Sequence, residues 1–298
     1  MAKFGSIFDM LNTDYTVILF YKFIDITDPE SLKIEQKKLA GGLNLKGRMI
    51  IAKEGINVTL EGKNSDVEQY METLKQDPRF ADILFKESVG TGSAFTKLKI
   101  KVRPEIVTLG AGDFDIKNET AIELPAEDLE KMYQNGEDFV VLDLRNDYEI
   151  ASGYFEKTID PGLQNFRDLP QKLKELENLK DKKVVAVCTG GIRCEKATCL
   201  LKKEGFSNLY QLKDGIHTYM KKYPASNFKG TLFVFDNRMV TPVVPTENRP
   251  IVGECLYCQV ATEDYANDDS VSPSRKILCC QNCFELHKDR LREAVAIK

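Results

Sequence analysis

The sequence lacks the long apolar segments of a membrane protein or of an exported one. Among its 298 residues, no run approaches the ~20 apolar residues that cross a membrane. Residues 1–5 have neither the continuous apolar stretch nor the cleavage site of a signal peptide. We therefore predict a cytoplasmic protein without a membrane partner, in which the eight cysteines are typical of catalysis or metal binding rather than of disulfides.

Histidine is scarce, because the chain has only His217 and His287. A non-haem iron site uses two histidines and a carboxylate, and these two histidines do not stand in a register that suits one. The dinucleotide-binding fingerprint is also missing, since Gly110-Ala111-Gly112 lies in a linker and lacks the third glycine. The sequence therefore shows no flavin, NAD or iron motif.

The overall charge gives no general attraction to nucleic acid, because the net charge is −4. Any contact with a polyanion must come from a local basic patch. With 42% hydrophobic and 30% charged residues, the composition is that of an ordinary globular protein. The length suggests two or three domains.

Residues 1–112 predict a ferredoxin-like, or acylphosphatase-like, α+β domain. Pro29 after Asp28 suits the first turn of a helix, and Ser65-Asp66 suits the cap of a second helix. The predicted elements are a strand at 17–24, a helix at 29–40, strands at 49–52 and 56–60, a helix at 67–76 and a strand at 98–102. This β-α-β-β-α-β order is that of the ferredoxin-like sandwich.

The last predicted strand carries a candidate basic patch for RNA. Its cations alternate and so lie on one face of the strand: Lys97, Lys99, Lys101 and Arg103. Lys53 would extend the patch, and Tyr21 would stack a base if its ring faces outward. A solvated strand face without an RNA partner explains the same alternation, and we slightly favour it at this point.

Residues 113–236 alternate strands with helices, as a parallel sheet requires, and predict an α/β domain. Residues 237–298 form a cysteine-rich tail, which begins with Pro242, Pro245 and Pro250. Three prolines in so short a segment favour an extended connection.

Cys188 stands where the buried run 184–187 ends and a helix-like segment, 195–203, is about to begin. Backbone N–H groups of a glycine-bearing loop at a helix N-terminus stabilise negative charge, so we predict a low-pKa nucleophile. The loop that would form this cradle is Thr189, Gly190, Gly191, Ile192, Arg193 and Cys194. The alternative is that Cys188 is a small core residue at a strand end.

The position of Arg193, five residues after Cys188, separates two chemistries. A cysteine phosphatase loop places its arginine six residues after the nucleophile, to wrap a tetrahedral phosphate. The shorter loop suits a sulfane sulfur on Cys188 better than a phosphate.

Cys194 is a candidate resolving thiol or, equally, a packing residue, whereas Cys199 at helical spacing is more typical of the core.

At these residues the chain resembles the rhodanese family. The supporting segments are 140–145, a strand that ends in Asp-x-Arg, and 205–216, a closing strand followed by a glycine-containing turn. The resemblance implies that Cys188 is the persulfide-forming nucleophile and that residues 189–193 are its amide cradle. Asp143 and Arg145 resemble structural ion-pairing residues near the site rather than chemical ones.

The tail contains two Cys-x2-Cys pairs, Cys255 with Cys258 and Cys280 with Cys283, separated by 21 residues. This spacing is close to that of a four-cysteine zinc site, and a small tail gains its fold from such a metal. Cys279 is an alternative to Cys280 as a ligand, and His287 is a weaker one. Four reduced, unligated thiols in a small core would explain the same pattern.

Over nearly its whole length the chain is similar to the rhodanese-containing tRNA uridine hydroxylase family. The similarity is carried by residues 21–23, 53–57, 77–80, 105–110, 144–149 and 188–196. It departs at Val58 and Asp214, where we would expect glycine. The resemblance implies oxidation of the wobble uridine in the anticodon of tRNA to 5-hydroxyuridine with molecular oxygen as co-substrate.

Two other functions remain open on the sequence alone. One is a sulfurtransferase that carries a persulfide on Cys188, and the other is a non-catalytic interaction module. The sequence identifies neither the electron or sulfur donor, nor the set of tRNAs, nor the oligomeric state.

Overall fold

The structure is a computed structural model that describes residues 14–244 and 249–294. Its contacts divide the chain into two compact units, one that ends at Thr108 and one that begins at Leu109. Within the described residues, no helix has the length and apolarity that a membrane crossing needs.

The first unit is one five-stranded sheet with two helices. Its elements are β1 Tyr15–Phe23, α1 Pro29–Gly42, β2 Lys46–Ala52, β3 Gly55–Lys63, α2 Asn64–Lys75, β4 Lys86–Val89 and β5 Leu98–Val102. The strand order is β4-β1-β3-β2-β5. As Pro29 predicts, α1 begins there, and its N-cap Asp28 accepts a hydrogen bond from the Ser31 N–H at 3.0 Å. Alternate residues of the central strands pack with both helices in one core.

The sequence analysis missed one strand of this unit, β4. The predicted last strand is present as β5, but it lies parallel to β2 at one edge of the sheet. The fourth strand of the β-α-β-β-α-β order is β4, which pairs antiparallel with β1 at the other edge. β4 has only four residues, two of them the charged Lys86 and Glu87, and so lacks a clear hydrophobic period.

The second unit is built on a five-stranded parallel sheet, in the order β6-β11-β10-β7-β9. Its elements through residue 222 are α3 Ile116–Glu119, β6 Ile122–Leu124, α4 Ala126–Gln134, β7 Val140–Asp143, α5 Asp147–Ile150, β8 Gly153–Phe155, β9 Thr158–Ile159, α6 Leu169–Lys172, β10 Val184–Val187, α7 Ile192–Lys203, β11 Leu209–Leu212 and α8 Gly215–Lys222, with 3-10 turns at Phe166–Asp168 and Leu173–Leu179. All four residues of β10 are buried, as the centre of a parallel sheet requires.

The rest of the second unit consists of short strands and one short helix. They are β12 Phe228–Gly230, β13 Leu232–Phe233, β14 Val240–Thr241, β15 Tyr265–Asp268, β16 Arg275–Leu278, α9 Gln281–Leu286 and β17 Leu291–Glu293. β13 and β14 form a hairpin, and β16-β15-β17 form a small sheet. Pro245 lies outside the described residues, and the domain boundaries at 113 and 237 stay predictions.

Candidate active site and cysteine cluster

Cys188 follows the buried strand β10 directly and is itself fully buried. The chain then turns through Gly191, whose φ of +100° is in the left-handed region that glycine tolerates, and α7 begins at Ile192. This turn directs the Gly191 N–H at the Cys188 Sγ atom, at 3.2 Å. The sequence pattern of strand, glycine loop and helix therefore places a thiol at a helix N-terminus.

The loop favours the thiolate form of Cys188. Burial alone would raise the pKa of this thiol, but the Cys194 thiol, the Arg193 charge and the backbone N–H groups of both residues lower it to about 6. The Cys194 thiol is the donor to Cys188, and burial together with that hydrogen bond raises the pKa of Cys194 well above its ordinary value. One ionised and one protonated sulfur thus lie in contact.

The Arg193 guanidinium is paired with a carboxylate and does not point freely into the loop as an anion-binding group. Its two terminal nitrogens each donate to a different oxygen of Glu149, both at 2.7 Å, and both side chains are buried. Glu149 also accepts from the Thr189 hydroxyl at 3.3 Å and from the Asn146 N–H at 3.0 Å. The cation that lowers the pKa of Cys188 is therefore fixed in place by a buried carboxylate.

Glu149 is a residue of the site that the sequence reasoning missed. It is the N3 residue of a capping box whose N-cap is Asn146 at the start of α5. The Asn-x-x-Glu spacing is visible in the sequence and predicts the cap. The pairing with Arg193, 44 residues later, is not visible there.

The loop is held from its other side by the start of α8. The N–H groups of Ile216 and His217 donate to the carbonyls of Cys188 and Thr189, at 2.9 and 3.0 Å. Gly215 packs so closely that a Cβ atom there would lie 2.6 Å from the Gly191 nitrogen. Asp214 has a φ of +62°, which explains why we expected a glycine at that position.

Asp143 and Arg145 lie beside the site at the end of β7 and are completely buried. The Arg145 guanidinium donates to Asp143 at 2.7 Å and to the carbonyl of Gly153 at 2.7 Å. A third bond, at 3.2 Å, reaches the carbonyl of Glu149. The pair thus supports the backbone from which the Glu149 side chain extends.

Aromatic side chains from later parts of the second unit contact Arg193 and the backbone beside Glu149. The half-buried ring of Phe235 lies 5.9 Å from the Arg193 guanidinium. Farther along the chain, the Tyr265 hydroxyl donates to the carbonyl of Tyr148 at 2.6 Å. Because Tyr148 precedes Glu149, the small sheet that contains Tyr265 contacts the backbone of the active site.

The four predicted metal ligands come together in the tail. The sulfurs of Cys255, Cys258, Cys280 and Cys283 all lie within 4.8 Å of one another. Tetrahedral zinc with Zn–S bonds of about 2.3 Å requires sulfur separations of about 3.8 Å, so a metal ion fits this group. Cys279 is not part of the group, because its thiol donates to the Cys280 carbonyl at 3.6 Å. His287 instead packs against Tyr257, with ring centroids 4.4 Å apart and the rings tilted by 42°.

Three of the candidate RNA residues of the first unit, Tyr21, Lys99 and Lys101, share one face of its sheet. Phe20 and Ile100 pack into the core on the helix side, so Tyr21, Lys99 and Lys101 face the other side. Paired positions form a row across the sheet: Lys101, Ile50, Asn57 and Tyr21.

The positive charges on this face lie close enough to interact. Arg48 is paired with Lys99 in the register of the sheet. The pKa of Lys99 is lowered, chiefly by repulsion from the positive charge of Lys101 and by partial loss of solvent. The charges of Lys97 and Arg48 lower it further. Lys97 and Arg103 are exposed at the ends of β5, whereas Lys53 is exposed in the turn between β2 and β3. Tyr21 has Lys86 over its ring at 5.4 Å.

Three family models match successive parts of the chain. The UPF0176 acylphosphatase-like domain matches residues 15–106, the rhodanese-like domain matches 125–222 and the rhodanase C-terminal model matches 229–293. The rhodanese-like match contains Cys188 with its loop, and the C-terminal match contains the four clustered cysteines.

Proteins of one name are similar to nearly the whole chain. The tRNA uridine(34) hydroxylase of Onion yellows phytoplasma is 40% identical over 90% of this chain and 88% of that protein. The enzyme of the same name from Staphylococcus carnosus is 37% identical over 93% and 92%. A rhodanese-like domain protein from Staphylococcus aureus, with a solved structure, is 22% identical over 33% of this chain and 90% of that one, with a TM-score of 0.29. At these identities and coverages, the chain belongs to the tRNA uridine(34) hydroxylase family.

Proposed function

We propose that this protein hydroxylates uridine 34, the wobble uridine of tRNA, to 5-hydroxyuridine and that Cys188 is its nucleophile. The observation that carries the proposal is the position of the Cys188 sulfur at the start of α7, where the Gly191 N–H donates to it at 3.2 Å. This setting, with the Cys194 thiol and Arg193, lowers the pKa of Cys188 to about 6 and favours the thiolate at neutral pH. Membership of the tRNA uridine(34) hydroxylase family supports uridine in tRNA as the substrate. The cytoplasm, where tRNA is used, is the proposed location.

A thiolate has a direct use in this reaction. Its addition to C6 of uracil turns C5 into a carbon nucleophile, and C5 is the atom that must gain oxygen. Molecular oxygen is the proposed co-substrate. Cys188 is fully enclosed, so the base must leave the anticodon stack and the side chains around the loop must open before the sulfur can reach C6.

Nucleoside mass spectrometry of tRNA tests this function. We expect 5-hydroxyuridine in tRNA incubated with the protein, oxygen and a thiol reductant, and none with Cys188→Ala. Cys199→Ser is the matched control, because Cys199 is also a buried cysteine of the same segment but donates to the Glu195 carbonyl on its own helix. Equal product from Cys188→Ala would contradict the proposal.

The basic sheet face of the first unit is the proposed tRNA-binding surface, consisting of Arg48, Lys97, Lys99, Lys101 and Arg103 with Tyr21 on the same face. The row from Lys101 to Tyr21 crosses three strand spacings, or about 14 Å. This length would let the cations follow phosphates while the Tyr21 ring contacts a base. Lys53, in its turn, would extend the contact.

Salt dependence separates this surface from a merely solvated one. With Lys99→Gln/Lys101→Gln, we expect the magnitude of the slope of log affinity for tRNA against log salt to fall by about 1.4 to 1.8, since each of the two lost phosphate contacts contributes about 0.7 to 0.9. Lys37→Gln/Lys38→Gln, on exposed positions of α1, should leave the slope unchanged. Equal slopes for both double variants would remove β5 from the binding surface.

The four clustered cysteines are the proposed ligands of a structural zinc ion. Cys280 rather than Cys279 completes the set, because its sulfur lies 3.6 Å from that of Cys258. Four thiolates this close repel one another unless a cation neutralises them. Zinc bound in this way would hold the two Cys-x2-Cys turns together and do no chemistry on the base.

A sulfurtransferase is the second candidate function, and the rhodanese-like match around Cys188 favours it. It would require only residues of the second unit. The test is production of thiocyanate from thiosulfate and cyanide. High thiocyanate turnover without any 5-hydroxyuridine would favour sulfur transfer over hydroxylation.

A further inference from the structure

Two sulfurs, not one, occupy the active-site loop. Cys188 and Cys194 are both buried, and their thiols are hydrogen-bonded to each other. The Cys194 N–H donates to the Gly191 carbonyl at 3.0 Å, so the same turn that directs an N–H at Cys188 also fixes Cys194 on the first turn of α7. Cys199, one turn and a half farther, lies outside this contact.

Hydroxylation by molecular oxygen has an electron requirement that this pair can meet. One oxygen atom of O2 enters uracil, and reduction of the other to water takes two electrons and two protons. Oxidation of two thiols to one disulfide releases two electrons and two protons. We propose that Cys188 and Cys194 together supply the two electrons of the hydroxylation, with Cys194 as the reductant that breaks the O–O bond. This inference rests on the proposed function.

The Cys188 thiolate adds to C6 and leaves an electron pair at C5. O2 accepts that pair, with one proton, and becomes a hydroperoxide bonded to C5. The Cys194 sulfur attacks the outer oxygen, so the O–O bond breaks to give a C5 hydroxyl group and a Cys194 sulfenic acid.

Two further steps release the product and close the disulfide. Loss of the C5 proton expels Cys188 from C6 and restores the double bond of 5-hydroxyuridine. The freed Cys188 thiolate attacks the Cys194 sulfenic acid and displaces water. Uridine, O2 and two thiols thus give 5-hydroxyuridine, water and one disulfide, which an external dithiol reduces before the next turnover.

The different protonation of the two sulfurs fits this division of roles. The low pKa of Cys188 makes it the sulfur that adds to the ring at neutral pH, whereas Cys194 keeps its proton until the hydroperoxide forms. Enclosure of both sulfurs protects them from disulfide formation before substrate binds.

A single-turnover experiment tests the inference. Reduced protein, freed of external thiol and in excess over tRNA, is exposed to O2, alkylated and digested with trypsin. We expect one disulfide per 5-hydroxyuridine, joining the peptides 184–193 and 194–196, because trypsin cleaves after Lys183, Arg193 and Lys196. Without tRNA or without O2, both peptides should be recovered unlinked.

Variants complete the test. Cys194→Ser and Cys194→Ala should make at least 100-fold less product in this single turnover, and Cys199→Ser should match the unchanged protein. Product formed while the two peptides stay unlinked would overturn the inference but leave the hydroxylase function standing, and so would normal product from both Cys194 variants. No product from the unchanged protein, even with added dithiol, would overturn the function and the inference together.

Discussion

The second unit contains two groups of cysteines that handle negative charge in different ways. At Cys188, one thiolate is stabilised by N–H groups and by a buried arginine side chain. In the tail, four sulfurs lie within 4.8 Å, and several thiolates at that distance need a metal ion to balance them. A cation from the protein leaves the sulfur free to react, whereas a metal ion occupies it. The comparison explains why only one group is expected to be catalytic.

Removal of the metal should give the largest effect and should affect only the tail directly. Binding of structural zinc contributes about 10 to 16 kcal/mol in zinc-finger peptides, so Cys280→Ser should lose the bound metal and unfold the region around α9. Cys279→Ser, at the neighbouring position outside the group, should keep one metal ion per chain. Metal content measured by elemental analysis, with hydrogen exchange of residues 254–293, checks this.

The reverse result would change the ligand assignment. If Cys279→Ser lost the metal and Cys280→Ser kept it, the tail would have a different ligand set from that of the clustered sulfurs. If neither variant nor the unchanged protein contained metal, the four thiols would be a reduced core.

The Glu149→Gln change should give the next largest effect, because it leaves the buried Arg193 charge unpaired. Loss of one partner of a buried ion pair costs about 3 to 5 kcal/mol. Glu137→Gln is the matched control, since Glu137 pairs with Lys183 at 2.8 Å on the surface and such pairs contribute less than about 1 kcal/mol. Urea unfolding of both variants gives the two free energies. Similar losses would mean that Arg193 finds another partner.

The pH dependence of alkylation should distinguish Cys188 from the other cysteines of its loop. Iodoacetamide reaches the enclosed Cys188 sulfur only when the side chains around the loop open, and the thiolate is the form that then reacts. With a pKa of about 6, the rate of its alkylation should rise between pH 5 and 7 and then level off. The pKa of Cys194 is raised, and burial raises that of Cys199 to about 11, so neither should react in this range. Peptide mapping after a short pulse of iodoacetamide gives each profile.

The same shift makes stability depend on pH in a defined direction. The folded-state pKa of Cys188 is below the value of about 9 of an ordinary thiol, so its contribution is fully present above pH 9 and is lost as the pH falls to 6. The Cys188→Ser variant should therefore lack one rise in the free energy of unfolding between pH 6 and 9. An unchanged pH profile would mean that the thiol is not ionised in the folded protein.

Local chemistry was the part of the site that could be predicted from the sequence. Strand, glycine turn and helix are adjacent in the chain, so the position of Cys188 at a helix N-terminus follows from residues 184–203 alone. The same holds for three Asp-x-Arg segments in which the arginine returns to an aspartate two residues before it: Asp77–Arg79, Asp143–Arg145 and Asp236–Arg238. The two Cys-x2-Cys pairs predict their own turns for the same reason.

The contacts that could not be predicted join distant segments. Glu149 meets Arg193 only because β7 and β10 pair in parallel and bring their carboxyl ends together. β4 was missed because a short, charged edge strand has no hydrophobic period, and it forms by pairing with β1. The approach of Tyr265 to Tyr148, 117 residues apart, depends on how the small sheet of the tail packs. The hydrophobic periodicity of a sequence predicts single helices and strands, and it does not predict contacts between residues this far apart.

The Tyr265→Phe change should give the smallest effect, and it tests whether the two groups of cysteines are coupled. It removes one hydroxyl and leaves the Tyr148 carbonyl without this donor, which costs about 1 to 3 kcal/mol. Because Tyr148 adjoins Glu149, a loosened backbone there should weaken the hold on Arg193 and raise the pKa of Cys188. We expect the alkylation midpoint to move upward while the metal content stays at one per chain. Tyr257→Phe is the control, since the Tyr257 ring packs against His287 beside the cluster and has no such hydrogen bond to Tyr148 among the described residues. A midpoint that is unchanged in both variants would make the two groups independent, and the tail would then support the fold without tuning the nucleophile.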